Sequence, residues 1–169
     1  MLVGKTKYSV EKELREWFRG AGRVVVVGVG NPIRMDDFVG VKIVQDLKGK
    51  VDADRVMLVE SETVPEGYLQ EIVDFDPSHV LLIDTAMLGL KAGEARLVKP
   101  EQLTNAPAFS THMLPLRIFC ECVSKTTRAH IALLLIEPKQ TEFGEGMTPE
   151  LGTSAQHLSG VIHSLLKRI

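Results

Sequence analysis

Apolar residues in this chain fall into short unbroken runs, separated by longer stretches with helical spacing. The runs at 24–29, 56–59, 80–83 and 131–136 are continuous rather than alternating. Continuous runs of that length predict strands buried on both faces, as in a parallel sheet. The segment "GEARLVKP" at 93–100 is more polar and alternates, which suits an edge strand. Between these lie predicted helices at 39–47, 66–73, 113–123 and 149–167, with a further helix at 9–19 ahead of the first strand. Ser9 is placed to cap that first helix, and Glu11 and Glu13 put negative charge near its positive end. Helices alternating with parallel-type strands predict an α/β protein. The architecture expected is a three-layer α/β/α sandwich, with a mostly parallel sheet of about five strands carrying an edge strand.

Composition narrows the partners. The chain has 169 residues, 44% hydrophobic and 25% charged, which are ordinary values for one globular domain with a substantial core. A single domain over 1–169 is expected, with 1–22 as a helical extension and 23–169 as its body. The formal net charge of −2 gives no electrostatic footprint for nucleic acid or an anionic membrane. No apolar run approaches the ~20 residues that span a bilayer, and the charged N-terminus has no apolar secretory core. Cys120 and Cys122 stand two apart in a predicted helix, where side chains face away from each other, and they match no zinc spacing. They read as thiols in a reducing compartment. The expectation is a cytoplasmic monomer that contacts neither nucleic acid nor membrane.

Candidate chemistry follows from where the strands end, because open α/β sheets bind ligands outside the carboxyl ends of their strands. After the first strand comes "GVGNPIRMDDFVG", with Asn31 and the adjacent Asp36 and Asp37; after the second, Glu60 and "SETVPEG"; after the third, Asp84 and Thr85. His112 precedes the helix at 113, and "EPKQTEFGEGMTPE" follows the last strand. Carboxylates and one histidine thus converge on one edge of the sheet. Gly28 and Gly30 lack the third glycine of a dinucleotide fingerprint: Ile33 stands in its place, and Pro32 offers no N–H to a phosphate. Asp36 reads as the cap of the helix beginning near Phe38. For Asp37 a cap and a functional carboxylate are equally open. Thr148, ahead of Pro149 and Glu150, reads as the cap of the last helix. The acidic 142–150 stretch reads as a solvated loop, or functionally as a rim for a basic peptide. One histidine and two aspartates from separate loops suffice to hold a divalent metal with positions left open.

Five segments, "GVGNPIRMDDFVG", "ESETVPEG", "LLIDTAMLGLKAGEARLV", "FSTHMLPL" and "IEPKQTEFGEGMTPEL", resemble in order and spacing the motifs of the nickel-iron hydrogenase maturation endopeptidases. The likeness is strongest to the type that serves formate-hydrogenlyase, or hydrogenase 3. It implies a phosphorylase/hydrolase-like fold and an enzyme that removes a C-terminal extension from the hydrogenase large-subunit precursor after nickel insertion. It implies that Asp37, Asp84 and His112 meet the nickel carried by the substrate, so that the resting enzyme need hold no metal. Asn31 and Glu60 would then orient the loop and the ligands. Whether the metal polarises the scissile carbonyl or a water, or Asp37 acts as a general base, stays open at this point. One departure stands out: Met35 and Phe38 flank the acids where the family pattern has glycines. The same ligands would also serve a non-cleaving nickel-binding or chaperone-like module for the large subunit.

Overall fold

The computed structural model describes residues 3–62, 65–104 and 113–169, and is built on one sheet in the order β2-β1-β3-β5-β4. The strands are β1 (Val24–Val29), β2 (Val56–Ser61), β3 (His79–Thr85), β4 (Ala95–Val98) and β5 (His130–Ile136). β2, β1, β3 and β5 pair in parallel, whereas β4 runs antiparallel to β5 and closes one edge. The edge strand predicted for the "GEARLVKP" segment is this β4. The helices are α1 (Val3–Trp17), α2 (Val39–Leu47), α3 (Leu69–Phe75), α4 (Met113–Thr126) and α5 (Pro149–Leu166).

Alternate residues of the buried strands face opposite sides of the sheet, and each side has its own core. Val24, Val26, Leu81, Ile83 and Leu134 pack with residues of α1, α2 and α5. Val25, Val27, Leu82, Leu133 and Leu135 pack with residues of α3 and α4. The runs in β1 and β3 are continuous because both faces are covered, whereas β2, at the edge, is only half-buried at Met57, Leu58 and Glu60.

The elements differ from expectation in three informative places. α1 begins well before Ser9, whose side chain is exposed and is no cap. Its register is set by Val10, Leu14 and Phe18, which lie four apart and are buried against the sheet. The segment predicted as one helix from 66 splits into a 3-10 turn, Pro65–Tyr68, followed by α3. β2 and β3 run past their apolar cores, so that Glu60, Ser61, Asp84 and Thr85 are strand residues rather than loop residues.

α2 crosses β1 and β3 at very short range. A methyl group placed on Gly40 would lie 2.2 Å from the Ile83 carbonyl oxygen and 2.6 Å from that of Val29. Both obstacles are backbone, so no rotamer change relieves them. Gly40→Ala is expected to cost at least about 2 kcal/mol, as overpacking does where the surroundings cannot give. A fall in the urea midpoint at constant m-value would show it.

Candidate functional site

Two adjacent aspartates follow β1, and they face opposite ways. Asp36 is fully buried. Its carboxylate accepts the backbone N–H groups of Lys139 and Gln140 at 2.9 Å each. It also accepts the Thr148 N–H at 2.7 Å and the Thr148 hydroxyl at 2.9 Å. Asp36 therefore ties the segment between β5 and α5 to the end of β1. It makes no side-chain cap to α2, the helix that begins after Phe38, which corrects the expectation. Thr148 does stand at the N-cap position of α5, but its hydroxyl bonds Asp36 instead of the helix.

The same segment is zipped to the loop through backbone. Met35 N–H donates to the Gly144 carbonyl at 3.1 Å, Gly144 N–H donates to that of Ile33 at 2.9 Å, and Asp36 N–H donates to that of Gln140 at 3.0 Å. Arg34, the one basic residue in this loop, is turned to the same segment. Its Nε donates to the Thr141 carbonyl at 3.1 Å and its guanidinium lies over the Phe143 ring.

Met35 is held at φ 45°, in the left-handed region where glycine is at ease and a side chain is not. The position thus keeps the backbone shape that a glycine would adopt, and its strain is borne by the bonds to Gly144 and Gln140. Met35→Gly is expected to change stability by less than about 1 kcal/mol. Met35→Val is expected to cost on the order of 1–2 kcal/mol more, because β-branched residues resist positive φ most. Equal effects from the two in chemical denaturation would contradict the account.

Asp37 faces the other way, toward β3. The backbone N–H of Asn31 donates to its Oδ2 at 2.9 Å, and the Thr85 hydroxyl donates to its Oδ1 at 3.0 Å. Thr85 N–H in turn donates to Oδ1 of Asp84 at 2.7 Å. One residue, Thr85, therefore links both predicted carboxylates. Asp84 is only 6% exposed, on the side of the sheet covered by α3 and α4. Burial, followed by the neighbouring charge of Asp37, pushes its carboxyl well above the usual range. No Lys, Arg or His among the described residues forms an ion pair with either group. The loop reaches this position because Gly30 has no side chain: a Cβ there would sit 1.9 Å from the Asp37 carbonyl oxygen.

The other predicted site residues take distinct places. His112 lies outside the described residues, so two of the three predicted ligands, Asp37 and Asp84, are seen together. Among the described residues no three His, Cys, Asp or Glu side chains gather as a metal site. Asn31 serves Asp37 through its backbone, while its side-chain oxygen accepts the Ile33 N–H at 3.1 Å and shapes the turn. Glu60 pairs with Lys48 at 2.6 Å, and that lysine holds its carboxyl below the usual range. Cys120 is buried, and its thiol is pushed up to about 12, first by burial and then by the charge of Glu101, so it is no nucleophile. Thr85 and Asp36 are the structural partners that sequence reasoning missed. The first was visible as a hydroxyl residue beside Asp84, but the second bonds groups more than 100 positions away.

The sequence profile of a family described as hydrogenase maturation protease matches residues 41–165. A chain assigned as a hydrogenase maturation protease in Methanocaldococcus jannaschii is 30% identical over 141 residues, 79% of this chain and 83% of that one. The hydrogenase 3 maturation protease of Escherichia coli is 25% identical over 124 residues, 73% of this chain and 78% of its own. Among solved structures, a nickel-iron hydrogenase maturation protease, HycI, from Thermococcus kodakarensis superposes with a TM-score of 0.82 at 32% identity. That likeness covers 91% of this chain and 98% of the other.

Proposed function

This chain belongs to the hydrogenase maturation protease family and is an endopeptidase that processes a hydrogenase large subunit; from that premise we propose that it cuts only once nickel is in place. In this reading the substrate is the nickel-iron hydrogenase large-subunit precursor, and the bond cut releases its C-terminal extension. Asp37, Asp84 and His112 receive the nickel that the precursor carries. The isolated enzyme needs no metal of its own.

The observation that carries this reading is the buried Asp84 carboxyl beside Asp37, with no cation from the described residues to neutralise the pair. Burial and a like charge both oppose ionisation of Asp84, and an arriving divalent cation reverses the balance. The protein thus holds a site that is unfavourable when empty of positive charge and favourable when the loaded precursor docks. Thr85 and the Asn31 N–H fix where the Asp37 oxygens point, so a cation held by them is placed rather than merely attracted. A nickel ion shared between enzyme and precursor positions the scissile bond, and can polarise its carbonyl or a water.

The same reading makes the protein a cytoplasmic monomer of one domain that meets its precursor transiently, with no role for nucleic acid or membrane. Among the described residues no helix is long and apolar enough to cross a membrane. Chelation tests the source of the metal. Enzyme stripped of metal and returned to chelator-free buffer is expected to process nickel-loaded precursor at the untreated rate. Loss of activity that returns on adding metal to the enzyme alone would establish a resident cofactor instead.

A further inference from the structure

β2 is one of the two edge strands of the sheet, and it ends beside the candidate site. Arg55 and Ser61 direct their carbonyl oxygens to β1, accepting the N–H groups of Val24 at 2.8 Å and Gly30 at 3.3 Å. By the alternation of a strand, the main-chain groups of Leu58 and Glu60 point away from the sheet. The Tyr68 hydroxyl confirms this by donating to the outward Glu60 carbonyl at 3.2 Å. The N–H groups of Leu58 and Glu60 take no described partner across that edge.

A groove of about 500 Å³ opens over this end of β2, lined among others by Pro32, Phe38, Val41, Ser61 and Tyr68. Its volume lies within the ~300–1,000 Å³ typical of ligand sites. Ser61 is only 1% exposed, and its hydroxyl has no hydrogen-bond partner among the described residues. Buried polar groups are normally satisfied, so an orphaned hydroxyl on a residue that borders a groove marks a place for a ligand's polar atom. The groove is also continuous with the site. Gly30 N–H is shared between the Ser61 and Glu62 carbonyls, and the next residue's N–H holds Asp37.

Resting on the function proposed above, we propose that this groove binds the precursor's C-terminal chain as an extended segment alongside β2. The segment takes the Ser61 hydroxyl and the outward N–H groups of Leu58 and Glu60 as hydrogen-bond partners. Phe38, Val41 and Tyr68 supply the apolar surface for one of its side chains. An added strand is the natural occupant, because an open edge offers main-chain bonds to any extended peptide while pockets beside it choose the side chain. Strand addition at β2 would lead the chain directly past Asn31 to the two carboxylates. Ser61 is then a positioning residue rather than a catalytic one.

Ser61→Ala gives a paired readout. Without its substrate the protein loses an unsatisfied buried hydroxyl, so its melting temperature is expected to rise by about 2–4 °C. With nickel-loaded precursor the variant is expected to show a KM raised about tenfold, with a smaller change in kcat. A hydroxyl with only a structural role would move melting downward and leave KM in place. Pulse-labelled hydrogen exchange of the wild-type protein, with saturating nickel-loaded precursor, is expected to show new protection confined to residues 58–62 among the strand amides. A wild-type KM in Ser61→Ala, or no added protection at 58–62, would overturn the groove assignment. Failure of the wild-type protein to cut the precursor would instead count against the function it rests on, and the exchange result would still decide the groove.

Discussion

Replacing Asp84 with alanine is expected to abolish processing of nickel-loaded precursor, by on the order of 10³-fold or more, with little loss of folding stability. The asymmetry follows from where the group sits. Asp84 is buried beside another carboxylate, a place where a charge costs free energy, and its one described hydrogen bond is to the Thr85 N–H. Removing it loses that bond and relieves the desolvation and the repulsion from Asp37, so folding stability is expected to stay within about 1 kcal/mol. His112→Ala is expected to lose activity to a similar extent, as the third proposed ligand. Denaturation curves and precursor cleavage, measured on the same preparations, separate the two effects. Normal cleavage by both variants would remove these residues from the site.

Asp36→Ala is expected to do the reverse, unfolding first and losing activity as a consequence. Its carboxylate satisfies the backbone N–H groups of Lys139, Gln140 and Thr148 in a fully buried position. Alanine leaves those donors without a partner, each at about 1–3 kcal/mol, so a loss of at least about 3 kcal/mol is expected. The segment 137–148 should also become the first site of limited proteolysis, because it is held to the loop after β1 through this residue. A stability within 1 kcal/mol of wild type, as judged from urea unfolding, would show that the segment is held by other means. The adjacent aspartates thus divide two tasks: one braces the loop, and the other is presented by it.

The sandwich was legible in the sequence because β1, β3 and β5 carry unbroken apolar runs, which only a sheet covered on both faces needs. The convergence of Asp37 and Asp84 was legible for a related reason, since both follow or end adjacent strands whose carboxyl ends share one edge. The work of Asp36 was not legible. Its partners are brought in by the return of the chain from β5, and nothing local distinguishes a capping aspartate from one that bonds amides over 100 residues away. The start of α1 was missed because Ser9 offers a plausible cap, while the apolar stripe of Val10, Leu14 and Phe18 leaves the preceding turns undetermined. Met35 stands where a glycine would take the left-handed shape at little cost. The structure keeps that shape and bears its cost through the backbone pairing with Gly144.

The central claim, that a carboxylate pair without a cation waits for a metal arriving on the substrate, is tested most directly by mass spectrometry of the large-subunit precursor after incubation with this protein. Nickel-loaded and nickel-free precursor would be compared, each with wild-type enzyme and with Asp37→Asn. The account predicts loss of a discrete C-terminal peptide from the nickel-loaded precursor with wild-type enzyme alone. Cleavage of the nickel-free precursor at a comparable rate, or undiminished cleavage by Asp37→Asn, would contradict it.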